Sequence, residues 1–200
     1  MLGEIKRTLE MESAAILEIQ KEIGEEEWLA LVKLLGDCKG RIVLSGCGTS
    51  AMAGQKISHS LNCIERPAVF IAPSNALHGG LGFVQKDDVC VFISKGGNTG
   101  ELLEMVPACR TKGAKVVAVT ENRDSKLAKA ADLVLNVHVS REPCPFNMLA
   151  TASTVSVIAA FDAVCIALMA YTGYTREQFA VIHPNGAVGK RLAAGERKDA

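Results

Sequence analysis

The chain has 200 residues, 48% of them hydrophobic, with 22 basic and 22 acidic side chains and no formal net charge. That content supports one α/β domain with a sizeable core and excludes a disordered chain. The charge balance excludes a broad basic face for nucleic acid, so any bound anion must be held by a local site.

Residues 4–23 carry Ile5, Leu9, Met11, Ala15, Ile16, Ile19 and Ile23 at helical spacing between Glu and Lys. This predicts an amphipathic helix stopped by Gly24, rather than the apolar core of a signal peptide. A second helix is predicted from Glu25 to Leu35, with Trp28, Leu29, Leu31, Val32 and Leu35 on its apolar face. Residues 1–40 therefore read as two helices that pack on the following domain or on a partner subunit.

Arg41–Ser45 is the first strand, followed by Gly46-Cys47-Gly48-Thr49-Ser50 and a helix from Ala51 to Leu61. As a dinucleotide fingerprint this turn fails, because Ala51 stands where the third glycine is needed. A phosphate turn fits better, with Ser50 as donor. Pro67–Ile71 is the second strand. It leads to a short helical turn and loop that place His78 beside Gly79 and Gly80, off any regular apolar face.

The most informative stretch is Val89–Glu101. A buried-strand run ends at Ile93, Ser94-Lys95-Gly96-Gly97-Asn98-Thr99-Gly100 follows, and a helix begins at Glu101. The glycines permit a sharp turn, and hydroxyls, backbone amides and a helix start then converge. This composition suits a phosphate, with Lys95 able to add charge. The plainer alternative is a loop in which Ser94 and Thr99 cap the helix and Glu101 complements its dipole.

Lys115–Thr120 and Asp132–Val137 are the fourth and fifth strands, separated by a short helix at 125–130. Strands alternating with helices imply a doubly wound parallel sheet. In the order 2-1-3-4-5, the turns after strands one and three meet at the switch point where such sheets bind ligands. Arg141-Glu142-Pro143-Cys144-Pro145 is a stiff loop that could hold Glu142 rigidly. A long apolar helix from Thr151 to Thr172 contains Asp162 and many small residues, and reads as a core helix rather than a membrane span. Thr175 and Gln178 form a capping box for a short helix. His183-Pro184-Asn185-Gly186 is a turn into a last helix, and 196–200 is a solvated tail.

The seven cysteines include no CxxC pair and several lie within apolar runs. They read as reduced thiols of a cytoplasmic protein, without metal-ligand spacing. No cofactor, metal, nucleic acid or membrane partner is expected.

The two glycine turns and the five-strand pattern resemble a sugar isomerase (SIS) domain. Ala76-Leu77-His78-Gly79, the Arg141–Pro145 loop, Ser153-Thr154-Val155 and His183-Pro184-Asn185-Gly186-Ala187-Val188-Gly189 resemble its arabinose-5-phosphate isomerase branch. The resemblance implies a three-layer αβα sandwich spanning 41–195, a homotetramer, and interconversion of D-arabinose 5-phosphate with D-ribulose 5-phosphate. It also implies that Ser50, Ser94 and Thr99, with Thr49, Lys95, Gly96, Gly97 and Asn98 of the same turns, hold the sugar phosphate. Glu142, Glu101, His78 and His183 match its acid–base positions, and in that family sites form between subunits. Three departures stand out. Thr49 replaces a lysine usual in the branch, Gly96 replaces a frequent serine, and the 200 residues contain no counterpart of the CBS modules that usually follow. A sensor that binds a sugar phosphate without turnover, or an isomerase of a hexulose or heptulose phosphate, is the alternative.

Overall fold

A computed structural model describes residues 1–193 of the chain. Its five strands are β1 (Ile42–Gly46), β2 (Ala68–Phe70), β3 (Val89–Ile93), β4 (Lys115–Thr120) and β5 (Leu133–Asn136). All neighbours pair in parallel, in the order 2-1-3-4-5. β1 and β3 are buried at every residue, as strands covered on both faces must be, which is why their sequences run apolar without alternation.

Helices α1 (Leu2–Glu22) and α2 (Glu25–Gly36) precede the sheet, and α3 (Thr49–Asn62) follows β1. After β2 come α4 (Pro73–Ala76) and a 3₁₀ turn (Gly80–Phe83); α5 (Gly100–Thr111) follows β3, and α6 (Lys126–Ala130) joins β4 to β5. The described chain closes with α7 (Ala152–Thr172), α8 (Arg176–Ile182) and α9 (Gly186–Ala193).

Alternate strand residues serve two cores, because successive side chains point to opposite faces. Leu44, Val91, Ile93, Val117 and Val119 pack with Ile19, Leu31, Ile57 and Phe161 of α1, α2, α3 and α7. Val43, Cys90, Phe92, Val116 and Ala118 pack with Leu102, Met105 and Leu127 of α5 and α6. The two N-terminal helices thus belong to the same core as the sheet. α7 is long and apolar enough to cross a membrane by length and composition, and here it packs on α1, α2 and α3.

One local expectation is corrected. Gly24 does not end the first helix in a left-handed cap. Ile23, buried in the core, is already extended, and Gly24 with φ −63° is the N-cap of α2. The segment after β2 is a short helical turn and loop as expected, α4 being followed at Gly79, φ +105°, by the 3₁₀ turn. The Thr175 capping box forms as expected: its hydroxyl accepts from the Gln178 amide at 3.2 Å and its own amide donates to Gln178 Oε1 at 2.9 Å. Residues 196–200, read as a tail, lie outside the described residues.

Candidate active site

β1 and β3 lie side by side, with Gly46 in register with Ile93, and their connections leave toward opposite layers. Their two glycine turns are therefore neighbours at the carboxyl edge of the sheet. A Cβ on Gly46 would stand 3.0 Å from the Ser50 carbonyl group and 3.1 Å from the Ile93 carbonyl oxygen, so the first turn is laid backbone against backbone on the second. Gly97 is needed more strictly. It has φ +65°, and a Cβ there would lie 2.9 Å from Thr120 Oγ1 and closer still to Ser125 Oγ.

The second turn braces itself. Ser94 Oγ accepts from the Gly97 amide at 3.1 Å and shares a hydrogen bond with Thr99 Oγ1 at 2.8 Å. Asn98 Nδ2 donates to the Gly96 carbonyl at 3.0 Å, while its Oδ1 accepts from the Lys126 amide at 3.1 Å. Thr99 stands at the N-cap of α5, yet its hydroxyl makes no cap bond. The plainer expectation that Ser94 and Thr99 serve as caps is thus corrected: the two hydroxyls hold each other. Thr49, Ser50 and Lys95 line a cavity of about 70 Å³ together with Thr120, Ser153 and Thr154. An ammonium, several hydroxyls and the start of α3 at one place form an anion-binding arrangement.

Glu142 is fully buried and lies behind two lining residues of this cavity, Lys95 and Ser153, both bonded to it. Its carboxylate accepts from Lys95 Nζ at 2.8 Å, the Ser153 hydroxyl, the Thr151 amide at 3.0 Å and the Ser153 amide at 3.4 Å. Its own amide donates to Asn147 Oδ1 at 2.7 Å, from a residue with φ +55°. Burial alone would raise the Glu142 pKa. The Lys95 ammonium, the Ser153 hydroxyl and the Thr151 amide outweigh that and hold it below its ordinary value. The carboxylate also sits at the α7 N-terminus, where the helix dipole favours negative charge.

The other acid–base candidates stand apart from this cavity. Glu101 is exposed in the first turn of α5, and its charge, after burial, is the second cause of a raised Cys47 pKa. His78 lies in the loop before Gly79, exposed. His183 follows α8, stacked on Phe179 at 3.8 Å between ring centroids, with Nδ1 donating to the Phe179 carbonyl at 3.0 Å. That bond fixes one tautomer and directs Nε2 to any chemistry. Neither histidine is a lining residue of the cavity beside Lys95 and Ser153. Sequence reasoning did not single out Ser153, Thr151 or Asn147 as partners of Glu142. The available signals were hydroxyl residues opening an apolar helix and an Asn in a turn that tolerates positive φ. Among the described residues, no group of three or more His, Cys, Asp or Glu could hold a metal ion.

Residues 34–177 match the SIS domain family. The chain belongs to that family. It is 37% identical over 192 residues to an arabinose 5-phosphate isomerase, KpsF, of Escherichia coli O6:H1, covering 96% of this chain and 59% of the relative. Arabinose 5-phosphate isomerase KdsD of Pseudomonas aeruginosa is 37% identical over 187 residues, covering 94% of this chain and 57% of the relative. The chain thus spans less than two thirds of the length of these curated relatives. Among solved structures, an Escherichia coli CFT073 protein in complex with arabinose 5-phosphate superposes with a TM-score of 0.88 at 31% identity, over 92% of this chain and 97% of that one. A Listeria monocytogenes protein provisionally assigned as a sugar-phosphate isomerase gives 0.90 at 55% identity, over 92% and 96%. The two solved structures share the fold of this chain.

Proposed function

We propose that this SIS chain is an aldose–ketose isomerase that interconverts D-arabinose 5-phosphate and D-ribulose 5-phosphate. The observation that carries the reading is the buried Glu142 carboxylate, fixed beside the anion-binding turns by Lys95 and the start of α7. The relatives' names and the sugar-phosphate complex support the substrate class. The phosphate is held by Ser50, Ser94 and Thr99 with the backbone of Thr49 and Gly96–Asn98. Glu142 takes the proton from C2 of the open-chain aldose and returns it at C1, through an enediol, while a second group moves the hydroxyl proton. His183 and His78 open the ring or relay protons, and Glu101 is the alternative base. The protein is cytoplasmic and a homotetramer, in which a histidine of one subunit serves the Glu142 of its neighbour.

The test is to follow D-ribulose 5-phosphate by NMR after mixing purified protein with D-arabinose 5-phosphate. Turnover by the protein and at least about a 100-fold loss in Glu142→Gln is expected, the range removed with a general base. Near-normal turnover by a folded Glu142→Gln protein overturns the assignment. A second reading, a sugar-phosphate sensor, is favoured by Thr49 in place of the branch's lysine. It predicts a ligand-dependent rise in Tm without turnover.

A further inference from the structure

The hydrogen bonds to Glu142 differ in kind. Three come from the start of α7, from the Thr151 amide and from the amide and hydroxyl of Ser153, all anchored in a 21-residue helix. The fourth comes across the crevice from Lys95, whose side chain is 37% exposed where that of Glu142 is 1% exposed. Lys95 also has a second carboxylate close by, with Glu121 Oε2 at 4.0 Å. It borders both the cavity shared with Thr49 and Ser50 and an open polar cavity of about 580 Å³ lined by Glu121, Arg123, His138 and Asn147.

A carboxylate offers about four lone-pair sites, and here four donors fill them. Such a group cannot accept a carbon-bound proton until one donor leaves. The two backbone amides cannot leave without unwinding the helix start, and the Ser153 hydroxyl, itself buried, can leave only by turning away from the carboxylate. Lys95 can leave through rotation of its own side chain, and an anion entering the crevice competes with Glu142 for its ammonium.

We propose that Lys95 is a positioning residue that pins Glu142 in the ligand-free protein and releases it when an anionic sugar phosphate enters. The proposal rests on the isomerase reading and gives Lys95 a task other than a fixed phosphate contact. Few charges besides Lys95 face Glu142. Glu121 stands 4.0 Å from the same ammonium. Arg7 of α1 donates to the Pro143 carbonyl at 2.8 Å and is paired with Glu4. Arg141 and Cys144 flank Glu142 in its own loop, and the first turn of α7 contains no acid.

The experiment measures kcat and kcat/KM against pH for the unaltered protein, Lys95→Met and Lys95→Arg, with D-arabinose 5-phosphate. The acid limb of kcat/KM reports the free enzyme and that of kcat reports the complex. The expected result is that Lys95→Met moves the kcat/KM limb up by roughly one unit or more, the size of an ion-pair contribution to a carboxylate. The kcat limb stays where it was, because Lys95 has already left Glu142 in the complex. Lys95→Arg restores the first limb. In parallel, the Glu142 carboxyl carbon, identified by its loss in Glu142→Gln, is titrated by NMR in ligand-free Lys95→Met and shows the same upward shift. A rise in KM with both limbs unmoved makes Lys95 a phosphate contact and overturns the proposal. A shift of both limbs makes it a permanent tether and does so too. An unmoved carboxyl titration with normal turnover by the unaltered protein overturns this proposal alone. Absence of turnover by the unaltered protein overturns the isomerase reading, and this one with it.

Discussion

At the scale of single residues, two groups in one loop carry opposite tasks. Glu142 is buried, ionised and fully bonded, and Cys144 two positions on is part-exposed with its Sγ accepting from the Met148 and Leu149 amides at 3.1 Å each. Those amides lower the Cys144 pKa, whereas burial pushes Cys165 up to about 11. The thiolate is the reactive form. Cys144 should therefore react with iodoacetamide faster than Cys165 or the buried Cys90 and Cys109, at neutral pH, by peptide mass mapping of a time course. The sign for Glu142 follows from linkage. Its folded pKa is depressed, so its contribution to stability is complete above the unfolded value, about 4.3, and is lost as pH falls through the folded value. Urea midpoints measured from pH 6 to 3 should fall in the native protein below that point, and fall less steeply in Glu142→Gln. The loop's two prolines made Glu142 visible in the sequence as a rigidly held acid. Asn147 left only the weak local signal of an Asn in a turn, and Ser153 was not visible as a partner, because its bond depends on where α7 starts relative to the Glu142 loop. That is a tertiary relation without a local signature.

At the scale of elements, the turn from β3 into α5 is the part most dependent on one residue. Gly97 combines a left-handed φ with a wall of Ser125 and Thr120 atoms within 2.9 Å of where a Cβ would stand. Its carbonyl also accepts from the Leu127 amide at 3.0 Å, tying the turn to α6. Gly97→Ala should cost at least about 1–2 kcal/mol from the backbone alone, with more from the clash. Both a lower Tm and lost phosphate-dependent stabilisation are the expected outcome, by thermal melts with and without D-arabinose 5-phosphate. Gly96→Ala, where a Cβ meets nothing within 4 Å, should leave the melt nearly unchanged. The strands and their order were legible, since β-branched runs broken by glycine turns leave few alternatives to a doubly wound sheet. Helix ends were less so. Gly24 has the composition of a stop but acts as the start of α2, because burial of Ile23 sets the path of the chain there.

At the scale of the whole molecule, the α1, α2 and α7 layer is unfinished. Leu17, Leu29 and Ile166 are exposed, and a groove of about 480 Å³ runs between the helices, lined by Ile16, Trp28, Leu29, Val32 and Ala163. An apolar face of this kind suits association between copies, and the homotetramer proposed above would cover it. The proposed sharing of sites between subunits gives the assembly a testable catalytic consequence, since neither histidine is among the hydrogen-bond partners of Glu142 within one chain. If a histidine reaches the neighbour's carboxylate, Glu142→Gln and His183→Gln subunits complement each other. Each alone is nearly inactive. After mixing, mild dissociation and reassociation, about a quarter of the sites in randomly assembled cyclic oligomers join an intact Glu142 to an intact His183. Turnover should rise toward that fraction of the native rate, and Leu29→Glu, which charges the apolar face, should abolish the rise and reduce the mass seen by light scattering. Sites contained in one chain would give no recovery on mixing at any ratio, since every subunit then lacks one of the two groups.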